Sequence, residues 1–399
     1  MFSQEGVQQG DPMGPLLFCL AVHPLLSSLV CSLTVGYMDD FTLGGPLSTV
    51  AQAVATIKSS GTALGLNLNT SKCEVISNIG SVSNSQFTGF RQLSKDSATL
   101  LGAPLSTGQA MDTMLASLYD DLKLAVDRLK LISSHDALVL LKNCLGGQKL
   151  LHMLRSSPCC GHPLLLQFDD LLRSAVTSIC NVALTDEQWT QASLPVRSGG
   201  LGVRSVSMLA SSAFLASAAG TRPLQTVILQ KCNIAEDINA SLISWTSLAH
   251  TPANLHECSQ RVWDSAVVHQ SFQTLFNSQS EPYHRARLLA AAAIHSGDWL
   301  HALPISACGL RLNDEAVRVA VGLRLGTDIC QPHQCVCGSI VDVRGSHALS
   351  CKRNAGRIQR HHHINDLVWR AMSRAGIAAV WSDQIGWQAT GRLDPYPLA

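Results

Sequence analysis

Hydrophobic positions in the first ~105 residues follow a mixture of helical and strand-like spacings. An uncharged run from Gly14 to Leu29 predicts a buried helix that is interrupted near Pro24. Two short apolar runs, 33–37 and 41–43, predict strands, and the sequence Met38-Asp39-Asp40 between them predicts a hairpin with acids at its turn. This part of the chain is therefore expected to combine helices and strands.

The next segment continues the mixture. Residues 66–69 and 74–76 predict strands separated by a turn at 70–72, and residues 100–105 form a last short apolar run. Ahead of them, four apolar residues at helical spacing predict an amphipathic helix: Val50, Val54, Ile57 and Leu64.

After residue 108 the spacing becomes helical. Further helices are predicted at 137–154, 164–182 and 208–219, and residues 221–300 are helical without a diagnostic pattern. The glycine-rich loop 197–202 lacks a lysine and a clear preceding strand, so we do not interpret it as a nucleotide-binding loop. The longest amphipathic helix is predicted from apolar residues that step by three or four positions: Met114, Leu118, Leu122, Ala125, Leu129 and Ile132.

Composition identifies a globular chain. Hydrophobic residues make up 46% of the 399 residues and charged residues 14%, which excludes a disordered protein. The formal net charge of +1 gives no support to nucleic-acid binding. The 14 cysteines are scattered and no signal peptide is evident, so we expect a reducing, intracellular setting.

One uncharged segment, Pro12 to Met38, is long enough to cross a bilayer. It contains Pro15 and Pro24 and runs directly into Asp39, which favours a helix, a break and a strand. No membrane span is expected.

The adjacent carboxylates Asp39 and Asp40 carry the sharpest chemical signal. Neighbouring acids at a turn repel each other unless a positive group neutralises them, and Mg²⁺ takes hard oxygen ligands that it shares with phosphates. Nucleotidyl transfer uses two such ions. A bare Asp-Asp pair is more often an exposed turn, so the interpretation depends on its context.

The context of the acids is a series of motifs in fixed order. GVQQGDPMGPLLF at 6–18 precedes GYMDDF at 36–41, and LGLNLN at 64–69 follows with Lys72 and Cys73. This order and spacing resemble the palm of reverse transcriptases from non-LTR retrotransposons, with LGLNLN as the next palm motif. The run LGAP at 101–104 resembles the primer-grip region. An RNA template, a DNA primer or target and dNTPs are the partners that this resemblance implies.

The resemblance also implies residue roles. Asp39 and Asp40 would bind Mg²⁺. Lys72 could donate a proton to the leaving pyrophosphate, although an ordinary surface lysine after a turn is an equally good interpretation. Gln9 and Gly10 would support the incoming nucleotide and template, and Tyr37 would lie beside the primer terminus.

The sequence departs from the family pattern upstream. Such palms have another metal-binding aspartate on an earlier strand and a preceding fingers domain, and no residue before Gly6 can replace that acid. We therefore expect a truncated palm that is inactive by itself.

A second cluster lies near the other end. Cys335, Cys337, His347 and Cys351 follow the spacing C-x-C-x9-H-x3-C, and three thiolates with one imidazole suit tetrahedral Zn²⁺. Cys330 and His333 lie close enough in sequence to compete as ligands, and a set of buried free cysteines is the alternative.

The same region extends the resemblance to elements that carry a restriction-like endonuclease. There a Cys-Cys-His-Cys knuckle precedes the nuclease, and GRLD at 391–394 resembles the start of its acidic motif through Asp394. The second acid and the lysine of such a site are missing, so no DNA cleavage is expected. The basic segment 352–374, with its histidines 361–363, could face phosphate, although a solvated helix face explains it equally well.

The prediction is an α+β chain in three parts. Residues 1–108 would be a partial palm, 109–328 a helical thumb and linker, and 329–399 a zinc-binding segment with a truncated endonuclease-like end. The first hypothesis is a fragment of an RNA-directed DNA polymerase, nuclear if functional. The alternatives are a non-catalytic nucleic-acid-binding protein and a decayed reading frame.

Overall fold

The computed structural model describes residues 10–78, 80–229, 235–353, 356–377, 379–382 and 386–389. Its helices are α1 Gly14–Ser27, α2 Leu47–Ala63, α3 Gln109–Leu129, α4 Ser134–Leu140, α5 Gly147–Ser156, α6 Pro163–Cys180, α7 Asp186–Ser193, α8 Val206–Leu229, α9 Ala235–Ala249, α10 Gln260–Ser278, α11 Pro282–Ala292, α12 Asp314–Leu325, α13 Ser346–Ser350 and α14 Gly356–Arg374.

The strands are short and pair two by two. They are β1 Leu33–Tyr37, β2 Asp40–Gly44, β3 Glu74–Ile76, β4 Arg91–Leu93, β5 Thr99–Leu100, β6 Ala103–Pro104, β7 His333–Gln334, β8 Ile340–Val341, β9 Ala379–Ser382 and β10 Gly386–Ala389. Only β3 and β4 pair in parallel; the other pairs in the described ranges are antiparallel. Helices with small sheets are compatible with the predicted α+β class.

Helix α1 corrects one prediction. It runs through Pro24 without interruption, and most of its residues are exposed rather than buried. Of its side chains, only Val22 and Leu25 are buried, and the helix contacts β1 and α2. Pro24 has no amide hydrogen and its ring crowds the carbonyl of Leu20, so α1 lacks one hydrogen bond there although its helical course continues.

Helix α2 confirms the amphipathic prediction in part: Val54 and Ile57 are buried and Val50 is half-buried, but Leu64 lies beyond the end of the helix and is exposed. The strand predicted at 66–69 is wrong, whereas β3 confirms the strand at 74–76. The reason lies in the end of α2: Gly65 has φ +75°, and the amide of Leu66 donates to the Gly61 carbonyl at 2.9 Å. Residue 66 thus terminates a helix instead of pairing in a sheet.

The main core lies among α3 to α8 and α12. Leu115, Leu122 and Phe168 are fully buried there, and the Phe168 ring meets Tyr119 edge-on at 5.4 Å between centroids. The long helix predicted across 114–132 is confirmed as α3, although it ends at Leu129.

The helix predicted at 137–154 is interrupted. Residues Leu141–Leu145 form a π-helical turn between α4 and α5. In its last hydrogen bond, the Gly146 amide donates to the Leu141 carbonyl at 2.7 Å. Lys142 on this turn is buried and donates its amine to the Leu300 carbonyl. The predicted single helix is therefore two helices, α4 and α5, joined by a π turn.

The glycine-rich loop is a packed turn. A Cβ on Gly200 would lie 2.0 Å from the Leu194 carbonyl oxygen, so only glycine fits. The buried Arg324 guanidinium donates to the carbonyls of Gly200 at 3.0 Å and Val196 at 2.8 Å. These contacts give the loop a structural role.

A smaller cluster joins α8, α9 and α10. Trp245 and Trp263 meet edge-on at 4.6 Å between centroids, and the Trp245 indole donates to the Trp263 carbonyl. Among the described residues, no helix is long and apolar enough to cross a membrane.

Candidate functional site

The hairpin β1–β2 presents the predicted catalytic acids. Its register pairs Tyr37 with Asp40, which leaves Met38 and Asp39 as the two turn residues. Met38 has φ +55°, a left-handed conformation that costs a non-glycine residue about 1–3 kcal/mol. The two-residue turn therefore holds Met38 in a strained backbone conformation directly before the acids.

The two carboxylates occupy different positions in this hairpin. Asp39 is the second turn residue, whereas Asp40 is the first residue of β2, so only one acid of the predicted pair lies in the turn itself. Both are exposed, and neither forms an ion pair with any described residue. Tyr37 is 60% exposed beside them. Unpaired exposed carboxylate oxygens are suitable ligands for a hard cation.

A glycine lets α1 support this hairpin. A Cβ on Gly36 would lie 2.7 Å from Leu26 Cδ1 of α1 and 3.5 Å from Phe41 Cδ1. The helix and the strand therefore pack closely just before Tyr37. Sequence reasoning did not assign this role to Gly36, although a glycine inside a strand pattern is a signal of close approach.

The other predicted palm residues lie apart. Gln9 is outside the described residues, and Gly10 is exposed with φ +95° and no atom within 4 Å of a Cβ placed on it. The next turn begins α1: the Met13 amide donates to Asp11 Oδ1 at 2.8 Å. Lys72 is exposed in a separate turn between α2 and β3, where its amide donates to the Asn69 carbonyl at 3.1 Å.

The structure brings the four predicted zinc ligands together. One ligand atom from each of Cys335, Cys337, His347 and Cys351 lies within 4.8 Å of the others. Cys337 Sγ is 3.1 Å from His347 Nε2, and Cys335 Sγ is 3.7 Å from Cys351 Sγ. Three thiol groups and one imidazole at these separations fit the donor set of a structural zinc site. We call these four residues the Cys3His cluster.

Local backbone geometry explains the cluster. The Gly338 amide donates to the Cys335 carbonyl at 2.8 Å, and Gly338 has φ +92°, so the chain turns sharply around the first two cysteines. The short helix α13 places His347 and Cys351 one turn apart, with the Cys351 amide 2.9 Å from the His347 carbonyl.

The competing residues are directed elsewhere. Cys330 Sγ donates to the Asp342 carbonyl at 3.1 Å, and His333 Nδ1 lies 2.9 Å from the Gln331 carbonyl. Within the described ranges, only the Cys3His cluster groups three or more potential metal ligands. This choice between ligands depends on backbone contacts, and the spacing of the residues did not reveal it.

Hydrogen bonds prepare one thiol for metal binding. Contacts from the side chain and backbone of Ser339, with smaller contributions from Cys335 and His347, lower the pKa of Cys337 to about 6. A thiol with this pKa is largely a thiolate at neutral pH, and the thiolate is the form that binds a metal.

The cluster is anchored to the helical region by contacts that the sequence did not predict. Tyr283 Oη of α11 lies 3.0 Å from Ser346 Oγ of α13, and the Arg344 guanidinium lies 5.5 Å from the Tyr283 ring centroid. Arg344 also pairs with Glu281 at 3.6 Å. These partners are some 60 residues apart in the sequence, so no local pattern links them.

Two predicted features remain, the endonuclease remnant and the basic segment. Asp394, the proposed endonuclease remnant, lies outside the described residues. In the basic segment, α14 exposes His361 to His363, and the Asn365 amide lies 3.1 Å from His361 Nε2.

Comparison with known proteins gives one family match, and it covers the hairpin. No curated protein matches the chain. Residues 1–105 match the family described as reverse transcriptase (RNA-dependent DNA polymerase), and the match includes Tyr37, Asp39 and Asp40. Members of this family act on nucleic acids and dNTPs and generally use divalent metal ions. This match over the first 105 residues supports a reverse transcriptase.

Proposed function

We propose that the chain is part of an RNA-directed DNA polymerase of the non-LTR retrotransposon lineage that carries a restriction-like endonuclease. The observation that carries this proposal is the hairpin with two exposed, adjacent carboxylates inside the matched segment. The Cys3His cluster downstream supports the choice of lineage. A nuclear location follows from this function, since the target of such an element is chromosomal DNA.

Each palm residue has a role in this proposal. Asp39 and Asp40 would hold Mg²⁺, which would supply activation of the primer 3′-hydroxyl and charge neutralisation at the leaving pyrophosphate. Tyr37 would orient the primer terminus. Gln9 and Gly10 would support the incoming nucleotide and template, and Gly10 would let the backbone come close to them. Lys72 would donate a proton to the pyrophosphate.

The hairpin by itself does not complete a metal site. Within the described residues, no third acid joins Asp39 and Asp40 in a metal-binding group. A missing direct ligand weakens metal binding by more than the ~10–100-fold that a supporting residue costs. We therefore propose that residues 1–399 do not extend a primer without an additional carboxylate from another polypeptide segment.

Primer extension on an RNA template with Mg²⁺ tests activity. The chain and its Asp39→Asn/Asp40→Asn variant are both expected to give no product. Extension by the chain that is lost in the double variant would overturn the proposed inactivity and establish a working polymerase.

Metal binding tests the hairpin independently of turnover. Mn²⁺ should broaden the NMR signals of residues 36–41, and Asp39→Asn/Asp40→Asn should abolish the broadening. The matched control is Asp120→Asn/Asp121→Asn, because these are also adjacent, exposed aspartates, but they lie on α3. Equal broadening in the two double variants would contradict the assignment of the ligands.

A second function, nucleic-acid binding by a zinc-stabilised segment, is favoured by the Cys3His cluster. One Zn²⁺ per chain is expected, and Cys337→Ser should lose it, whereas Cys330→Ser should retain it because Cys330 is outside the cluster. RNA affinity should fall steeply with salt and on chelation. Chelation that leaves affinity and its salt dependence unchanged would exclude a role for the cluster in binding.

A further inference from the structure

A cleft lies between the glycine-rich loop and helices α10 and α11, away from the β1–β2 hairpin and the Cys3His cluster in the sequence. Its volume is about 330 Å³, and the apolar Val268 and Ala292 line it together with Arg197, Ser198, Ser265, His269 and Phe272. This volume is in the range of small-molecule sites, which begins at ~300 Å³. The lining thus combines a cation, two hydroxyl groups, an imidazole and an aromatic ring.

The loop that presents Arg197 is rigid. The Arg324 guanidinium binds the carbonyls on either side of Arg197, and Gln191 Nε2 donates to the Gly199 carbonyl at 3.0 Å. Gly199 has φ +86° and packs against the backbone of Ala292. Because the backbone is already fixed, a ligand that binds Arg197 orders only the side chain, which reduces the entropic cost of binding.

Helix α10 contributes a stripe of groups at spacings of four, three and four residues. Ser265, His269, Phe272 and Phe276 share one face, and the two phenylalanine rings are stacked at 16° between planes with centroids 6.3 Å apart. Arg285 of α11 lies 5.6 Å from the Phe276 ring centroid and is exposed. This face of α10 therefore carries two hydrogen-bonding groups followed by two aromatic rings, with a cation of α11 at its end.

The charge around the cleft favours an anion. Its lining contains no carboxylate. The nearby Asp264 forms a two-point ion pair with Arg204, with both distances 2.7 Å, and is buried. Arg197 is exposed, and its closest described side-chain contact is a long one, 3.5 Å to Ser265 Oγ. Its guanidinium is free to bind a phosphate.

We propose that this cleft binds a single strand of nucleic acid. One phosphate would contact Arg197, Ser198 and Ser265, and one base would stack on Phe272, with Arg285 attracting the next phosphate. Proteins that hold single strands combine cationic grooves with stacking aromatic rings in this way. The choice of a strand over another anionic aromatic ligand rests on the proposed function, whereas the residues that bind it follow from the cleft.

Fluorescence anisotropy with a labelled 12-mer of oligouridylate and the full chain tests the proposal. Phe272→Leu should weaken binding about tenfold, since one stacked base contributes ~1–3 kcal/mol and 1.4 kcal/mol is tenfold. Arg197→Ala should weaken binding by more than twofold. Arg197→Ala should also make the slope of log affinity against log salt shallower by about 0.7, the value for one lost phosphate contact on a single strand.

Controls separate this site from other binding surfaces. Arg128→Ala removes an exposed arginine of α3 outside the cleft and should leave the affinity within about twofold, and the far-UV circular dichroism of each variant verifies folding. Strand binding is measured without primer or dNTPs, so a chain that binds the strand but does not extend primers supports the cleft and leaves the polymerase proposal to its own tests.

Photocross-linking locates the strand. A 5-iodouracil oligonucleotide should form its adduct on a peptide that contains Phe272, and Phe272→Leu should reduce the yield. The proposal is overturned by adducts found only elsewhere, by affinities of both variants within twofold of the parent chain, or by absence of strand binding. Binding of thymidine monophosphate in the cleft without strand binding would also overturn it.

Discussion

Residues 10–105 and 109–325 differ in how much apolar surface they bury. The helical region has a large core in which Phe168 and Leu172 are fully inaccessible, and a smaller cluster around Trp245 and Trp263. The first region has a small cluster of four buried residues, and its strands form only two-stranded pairs. Its helix α1 leaves large apolar side chains 46–60% exposed: Met13, Leu16, Leu17 and Leu20.

The region that holds the candidate catalytic residues is therefore not the region that stabilises the fold. The first region holds the acids and matches a known family, yet two-stranded sheets and a four-residue cluster contribute little stability by themselves. The helical region carries the stability and has no diagnostic motif. We infer that the first region depends on contacts with the helical region, such as His152 Nε2 to the Leu101 carbonyl at 3.1 Å.

The largest contrast is expected between two phenylalanine truncations. Phe168→Ala should reduce the free energy of unfolding of the helical region by about 3–5 kcal/mol, because it creates a cavity in the main core. Phe87→Ala should instead remove hydrogen-exchange protection within residues 47–104 and leave the helical region protected. Urea titration and hydrogen exchange measure the two effects. An equal shift of one shared transition would contradict the division.

The second effect concerns the start of α8. Asp169 is buried and accepts hydrogen bonds from the Val206 amide at 2.6 Å and from Ser205 Oγ at 2.7 Å. Asp169→Ala should cost about 1–3 kcal/mol, because these buried donors lose their acceptor. Urea midpoints give the cost, and Asp170→Ala on the exposed side of α6 is the control, with a change below about 0.5 kcal/mol.

The same carboxyl group should give a pH signature. Burial raises the pKa of Asp169 despite its hydrogen bonds. Between its usual and raised pKa values the folded state holds the extra proton, so this group makes stability fall as pH rises through that window. The stability of the chain minus that of Asp169→Asn should therefore decrease with pH there, whereas a difference that increases would exclude the raised pKa.

Loss of the contact between His152 and the Leu101 carbonyl is expected to cost less stability than loss of the Asp169 carboxylate. His152→Ala removes the hydrogen bond to the Leu101 carbonyl, which is worth about 0.5–1.5 kcal/mol. Hydrogen exchange should accelerate at residues 99–104 and remain unchanged within α6. Unchanged exchange at 99–104 would mean that this contact does not hold the first region.

The smallest effect is expected on α1. Leu16→Ser and Leu20→Ser replace side chains that are 51% and 60% exposed, so each should change stability by less than about 0.5 kcal/mol. A comparable substitution at the buried Val22 should cost more. Differential scanning fluorimetry would detect the contrast, and an equal loss at Leu16 would show that α1 is covered in solution.

Local patterns predicted much of both sites. The acids at Asp39 and Asp40 lie in a hairpin because the apolar runs on either side fix its strands within a few residues. The Cys3His cluster was predictable for the same reason, since its ligands span only residues 335–351.

Features that depend on distant partners were not predictable. The exposure of α1 depends on what packs against it, and its apolar sequence alone suggested burial. The cleft joins Arg197 to Phe272 across 75 positions, and Arg324 fixes the loop from still further along the chain. Periodicity describes single elements, so it does not reveal such assemblies.

The π-helical turn at Leu141–Leu145 has a consequence for the gene. A π turn accommodates one more residue than an α turn, so deleting a single codon there would convert it into an α turn and leave the orientation of the flanking residues nearly unchanged. The buried face of α5, with Leu150, Met153 and Leu154, would then stay on the core. An in-frame deletion of three nucleotides would thus be better tolerated here than inside α3 or α6, where it would rotate the rest of the helix by about 100°.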